Sequence, residues 1–396
     1  MGKLALFMVL GFSSMFLIMS YNANNVATRT VDNMVDYHTI SVAHNIAASG
    51  TNLAANAIFL NNDWNAGFSD VDFGHGYFDA TVTTMDAFMN IKKLTTVGHY
   101  RGSTKQIDVI FRPSSFAKFA YYSKNESGIH WHDGDTVWGP WHSQDNIRVT
   151  DSPVFFGKVT TKGAVNYTNG EGIDDPKFYG GLETGIDVPM PSTPITDLAA
   201  FAIDDGAYMT GEDTVYLTFA GDSLKYRTTY SSPDTSYHLP TMAPNGVIYA
   251  HNSIIRVKGT IKGQYTIASN KRIYIDDDIV YQTDPRTTPS STDIFGIVTL
   301  MDVLVADNPA NHNNINLQAS IFSQTSGFGA ENPGGRPNSG GLYLLGGIQQ
   351  ERRKLVSNPW PVHGFSKRYK YDDRLMFASP PGYPGTGNLE IVSWYE

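Results

Sequence analysis

Apolar and polar positions divide this chain into two regimes. Residues 4–19 read LALFMVLGFSSMFLIM, and no charged side chain stands between Lys3 and Arg29. No proline occurs before Pro113, so the residue that most strongly breaks helices is missing from the whole stretch. Beyond Arg29, Val31, Val35, Val42, Ile46, Leu53 and Ala57 recur at steps of four or seven, which keeps them on one helical face. The pattern predicts one helix over residues 1–60. It is apolar nearly all round to residue 28 and amphipathic after that, with Val35, Val42, Ile46, Leu53 and Ala57 turned towards a folded domain. At 1.5 Å per residue such a helix runs on the order of 85 Å.

The next stretch, NNDWNAGFSDVDFGHG over residues 61–76, is turn chemistry and ends the helix. Three alternating runs follow at 77–84, 92–100 and 105–112, close enough together to predict an antiparallel meander. Residues 61–134 are therefore expected to form a small antiparallel sheet that receives the helix. From residue 135 the texture changes to short β runs, among them 246–257, 264–268, 272–281, 294–306, 315–323 and 342–349. Glycine or Asn/Asp turns separate most of them, with no clear helical segment between. A β-solenoid is preferred over a sandwich for residues 135–396. The runs are short, and neither Asn169-Gly170 nor Asn245-Gly246 sits between two alternating runs as a tight hairpin requires. Residues 192–244 are more polar, hold four prolines including Pro194 and Pro244, and read as an insertion. The expected class is α+β: a long helix, a small antiparallel sheet and a large β-rich body.

Composition narrows the chemistry. Charged residues make up 17% and the net charge is -9, with no lysine/arginine-rich block, so nucleic acid is not an expected partner. The absence of cysteine removes disulfides, thiolate metal sites and cysteine nucleophiles together. The hydrophobic start admits three readings. A cleaved secretory signal would use residues 21–23 as a weak cleavage site. A plain anchor would cross a bilayer of about 30 Å. The third, adopted reading is a helix that leaves the bilayer to pack against copies of itself. Leu4, Leu6, Phe7, Leu10, Phe12, Phe16, Leu17 and Ile18 then form the shared core, and Gly2, Gly11, Ser13 and Ser14 permit close approach.

Few side-chain constellations invite chemistry. His130 and His132 share one face of a strand, with His142 or Asp135 as a third metal ligand, but a histidine pair alone is more often a strand end and turn. Asp276, Asp277 and Asp278 alternate across a strand and cannot all converge, so a polar corner is expected. Gly327, Gly329 and the glycines of 334–341 read as a surface loop, because they do not open a helix after a strand. The charged run 351–354 and Lys367-Arg368 read as solvated surface. The sequons at Asn125 and Asn166 carry little weight in a bacterial-looking chain. No catalytic residue, cofactor or metal is expected.

Several segments together resemble one family. The apolar helix with its alanine-rich continuation, AHNIAASGTNLAANAIF, is similar to the start of a type IV pilin or minor pilin. RPSSFAKFAYY at 112–122, GPWHSQD at 139–145 and PVFFGKV at 153–159 resemble signatures of large pilin-like proteins that carry a β-rich domain of unknown function. GGIQQ at 346–350, GFSKRYKYDDRL at 364–375 and PPGYP at 380–384 resemble the C-terminal signature. The resemblance implies a structural subunit of an extracellular filament, inserted in the inner membrane before assembly. Its partners would be copies of itself and the pilus assembly machinery. Pilins usually place a glutamate at the fifth mature position, where this chain has Ala5, and a leader ending in glycine before it. Either the numbering starts after processing or export follows another route. The competing expectation is a membrane-anchored β-solenoid enzyme or glycan-binding adhesin.

Overall fold

The computed structural model describes residues 2–358 and 363–396. It divides into two compact units, residues 1–112 with 388–396, and residues 113–387.

The first unit is built on helix α1, Gly2–Leu60, which is 59 residues long. The chain leaves it where Asn61 donates to the Ala57 carbonyl and its side-chain oxygen takes the Asp63 N–H. Strands β1 (Phe68–Phe73), β2 (Gly76–Asp86), β3 (Ile91–Tyr100) and β4 (Ser103–Ser115) then form an antiparallel meander. Two-residue loops close two of its hairpins. Gly74-His75 joins β1 to β2, and Arg101-Gly102 joins β3 to β4, all four residues having positive φ, as type I′ turns need. The C-terminal strand Gly385–Tyr395 completes the sheet beside β4.

Strand β3 alternates strictly, with Lys92, Leu94, Thr96, Gly98 and Tyr100 buried. The buried stripe of α1 runs through Thr39, Ala43, Ile46, Ala47, Gly50, Ala54 and Ile58. It is made mostly of small residues because backbone meets backbone here. A Cβ on Gly98 would lie 2.3 Å from the Ala43 carbonyl oxygen, and one on Gly50 would lie 2.5 Å from the Phe78 ring.

The second unit holds helix Pro194–Asp205, the short helical turn Leu239–Met242 and 3-10 turns at Phe116–Lys118, Ala310–His312 and Asp373–Met376; its other regular elements are strands. Its longest ladder is parallel throughout. From one end it runs Ala207–Met209, Val247–Ala250, Gln264–Ser269, Ile294–Thr299, Ile315–Ser323 and Asn338–Arg352. It continues through Tyr121–Asn125, Trp141–Ser143, Val159–Thr161 and Leu182–Thr184. The chain therefore enters the ladder in the middle and runs to one end. It then restarts at the other end and climbs back until Ile348 lies beside Tyr121.

Register places like beside like. Ile248, Ile267, Ile297, Ile321, Ile348, Tyr121, Trp141 and Val159 are aligned rung to rung and all buried. Two residues further on, Ser269, Thr299, Ser323, Gln350, Ser123, Ser143 and Thr161 form a second aligned and buried column. Buried hydroxyls need partners, and the corners supply them. Ser269 Oγ donates to the Ser253 carbonyl at 2.6 Å and accepts from the Lys271 N–H at 3.0 Å. Thr161 does the same with the Asp145 carbonyl and the Gly163 N–H. Each hydroxyl thus ends a strand by turning its backbone.

Further parallel pairings line the same core. Thr214–Gly221, Ile254–Ile261 and Ile273–Tyr281 form one set, and Thr136–Val137, Val154–Phe155 and Lys177–Phe178 another. Within the polar stretch 192–244, residues 207–209 and 214–221 belong to these ladders. The hairpin of Ser223–Arg227 with Thr235–His238 is antiparallel. The loop expected around Gly327 and Gly329 is instead the buried strand Phe328–Ala330. Glycine is needed at 327 because a Cβ would lie 2.0 Å from the Arg352 carbonyl oxygen.

Candidate functional site: the exposed half of the N-terminal helix

The sequence makes α1 helical from end to end, but only its second half is packed. Before Thr39 no residue of the helix is buried. Leu4, Leu6, Phe7, Leu10, Phe12, Phe16, Leu17 and Ile18 are between 55% and 73% exposed, and Val26, Val31 and Met34 are exposed beyond them. Burying such side chains is worth about 1.5–3 kcal/mol each, so those eight alone represent on the order of 10–20 kcal/mol of unfavourable hydration in water. Among the described residues α1 is the one helix long and apolar enough to cross a membrane. Residues 4–28 cover roughly 37 Å at 1.5 Å per residue, against about 30 Å of bilayer hydrocarbon.

Two hydroxyls in this half are already satisfied. Ser14 Oγ donates to the Leu10 carbonyl and Thr30 Oγ1 to the Val26 carbonyl, each at 2.8 Å. They can enter an apolar environment without stranding a donor. A Cβ on Gly11 would meet nothing within 4 Å, so it leaves an open notch between Leu10 and Phe12. Of the five residues expected to face the sheet, Ile46 lies in the buried stripe, Val42 and Ala57 are half-buried, and Val35 and Leu53 are exposed.

The signature segments of the body, scattered in sequence, meet where Ile348 comes back to Tyr121. Gln349 is buried; its Nε2 donates to the Phe119 carbonyl at 2.7 Å and its Oε1 accepts from Tyr383 Oη at 2.6 Å. Gln350 donates to Tyr121 Oη at 2.9 Å and accepts from the Phe328 N–H. Tyr371 Oη donates to the Ala117 carbonyl, and Phe322 packs edge-on against both Phe116 and Tyr383. These motifs therefore join the two halves of the ladder. Sequence spacing could not reveal this, because Phe119 and Gln349 are 230 residues apart.

The remaining candidates resolve into structural partners. His130 Nδ1 lies within 3.0 Å of Thr150 Oγ1, and its ring stacks at 5.8 Å on His132. His142 is turned to Tyr122 and Thr160 instead. Among the described residues no group of three or more His, Asp or Glu side chains is placed to hold a metal ion. Asp276 takes both arms of Arg256, Asp278 takes Asn316, and Asp277 sits near Lys258, so the three carboxylates diverge. The run 351–354 is only partly the solvated surface expected. Arg353 is buried against Glu126 at 3.1 Å and over the Trp131 ring at 4.1 Å, while Glu351 pairs with Lys124 and Lys354 with Asp302. Arg353 lies just past the end of strand Asn338–Arg352, where the chain leaves the strand and turns it inward, a direction that composition alone does not carry.

Burial holds the His142 imidazole down at about 4, against an ordinary 6.5. A depressed histidine contributes stability that is full above about 6.5 and drains away as pH falls towards 4, because the unfolded chain binds the proton first. The body should therefore lose up to about 3 kcal/mol across that window from this residue. His142→Gln should flatten the pH dependence of its urea midpoint between those values; an unchanged slope would assign the loss to other groups.

No protein-family model matches the chain, and no curated protein matches it. Among solved structures it is similar to the competence-associated pilin ComZ from Thermus thermophilus. That match has a TM-score of 0.35 and 11% identity, and covers 90% of this chain and 97% of that one.

Proposed function

We propose that this chain is a structural subunit of an extracellular bacterial filament of the type IV pilus kind, polymerising through its hydrophobic N-terminal helix. The observation that supports this most directly is the apolar, unpacked half of α1, joined without interruption to a half that is anchored on a sheet. Before assembly residues 4–28 sit in the inner membrane. In the filament Leu4, Leu6, Phe7, Leu10, Phe12, Phe16, Leu17 and Ile18 face sister helices. Lipid is as apolar as the filament core, so transfer from one to the other gains little from the hydrophobic effect; helix packing at small residues such as Gly11 holds the polymer. Head-to-tail contacts of one kind then propagate as a helix.

The parallel ladders support reading the body as a β-solenoid displayed on such a filament, and the assembly machinery of pili as the partner that extracts the subunit from the membrane. Electron microscopy of sheared cell-surface material should show fibres that label with antibody against residues 113–387. Recovery of the chain only as membrane-embedded monomers would refute the filament.

A further inference from the structure

The body carries a cleft of about 650 Å³ near the place where the two halves of its ladder join, lined by strand His363–Lys370 and by residues from 131 to 138. Its volume lies in the range of small-molecule and oligomer-binding sites. One wall is aromatic. Trp138, half exposed, has one ring face covered by Phe156 at 3.8 Å and nearly parallel, and Phe156 in turn stacks on Tyr179 at 5.4 Å. Trp138 also lines the cleft, so it forms the end plate of an aromatic stack. Tyr343 also lines the cleft, on the rung beside Arg368, and is 43% exposed.

The lining beside the aromatic residues is cationic. Arg368 and Lys370 project outward from the strand whose alternate residues, Phe365 and Tyr369, turn inward. Neither has a carboxylate partner among the described residues: Arg368 Nη1 donates only to the Lys367 carbonyl, and Lys370 sits on the rung next to Trp138. Lys367 adds a third cation at the floor, 4.0 Å from Asp135, the lining carboxylate. A flat ring face beside unneutralised cations suits a sugar ring that bears a carboxylate.

The geometry points to this cleft as a binding site for an acidic oligosaccharide, a uronate-containing chain whose ring lies on Trp138 while its carboxylates meet Arg368 and Lys370. The site belongs to the body alone and stands whether or not the helix polymerises.

Titration calorimetry on the full chain in detergent, with hexagalacturonate as the probe, tests it. Hexagalacturonate should bind, weaken as salt rises, and outbind neutral maltohexaose by about tenfold or more. Trp138→Ala and the surface variant Arg368→Glu should each lower its affinity by about tenfold or more with the melting curve unchanged. Lys370→Glu offers the same reading should Trp138→Ala fail to fold. No heat with hexagalacturonate at millimolar concentration would overturn the proposal. So would affinity indifferent to these variants, or equal binding of a single-stranded dT hexamer through the same residues.

Discussion

Replacing Phe12 by aspartate is expected to abolish fibre formation while leaving the body folded. Phe12 lies in the middle of the uncharged stretch, 72% exposed on the helix, next to the notch at Gly11. An aspartate near the centre of a membrane helix costs about 2.5–3.5 kcal/mol on insertion scales, which the surrounding leucines and phenylalanines largely offset. The variant should therefore still reach the membrane. In a packed bundle the charge meets other copies of itself at close quarters, with no cation in residues 4–28 to pair with it. The penalty for a buried unpaired ion is several kcal/mol and is repeated at every subunit. The body's core cluster contains no residue of α1, so its packing is not touched. The comparison is Tyr37→Asp, at an exposed position beyond the apolar stretch, which should assemble. Fibres that persist with Phe12→Asp would mean that another surface holds the polymer.

The helix was legible because its signals are local: no proline, no charge between Lys3 and Arg29, and turn residues where it stops. Its packed face was not. Periodic large residues such as Val35 and Leu53 draw the eye, yet the sheet takes the stripe of Ala43, Ala47, Gly50 and Ala54, where small side chains let the backbones approach. The value of that stripe depends on Gly98 across from it, which no helical periodicity encodes. The β-rich body was legible as a class for the same local reason, through its short alternating runs and glycine corners. Its register was not, because aligned rungs fall at 248, 267, 297, 321 and 348, unevenly spaced by corner segments such as 282–293. The return of the last strand to the first sheet, and the meeting of Ile348 with Tyr121, depend on contacts between distant parts of the chain. The cleft was hidden for a related reason: Trp138, Tyr343 and Arg368 come from three separate segments.

Arg353→Met should be among the most destabilising single changes in the body. Arg353 and Glu126 are 227 residues apart and join the ends of strands Asn338–Arg352 and Tyr121–Asn125, which pair side by side. Glu126 is fully buried and accepts from Arg353 Nη1 at 3.1 Å, from Trp131 Nε1 at 3.2 Å and from Ser123 Oγ. Burial works against the Arg353 guanidinium, but Tyr121 and Glu126 beside it more than compensate, so its pKa stands above the usual value. Removing it leaves a carboxylate in the core with only neutral donors, a loss of about 3–5 kcal/mol. That is a large share of the roughly 5–15 kcal/mol that holds a typical domain. Nearby Lys367 tempers the effect. Burial and Arg353 now hold its ammonium below the ordinary value, and Glu126 pulls the other way. Without Arg353 it becomes a better counter-charge, which places the expected loss nearer 3 than 5 kcal/mol. The double variant Glu126→Gln with Arg353→Met removes both charges and should recover more than half of that loss. Urea unfolding followed by tryptophan fluorescence reads it through Trp131, which touches both partners. A double variant no more stable than Arg353→Met would show that shape and stacking on Trp131, rather than the charge left behind, hold the two ends together.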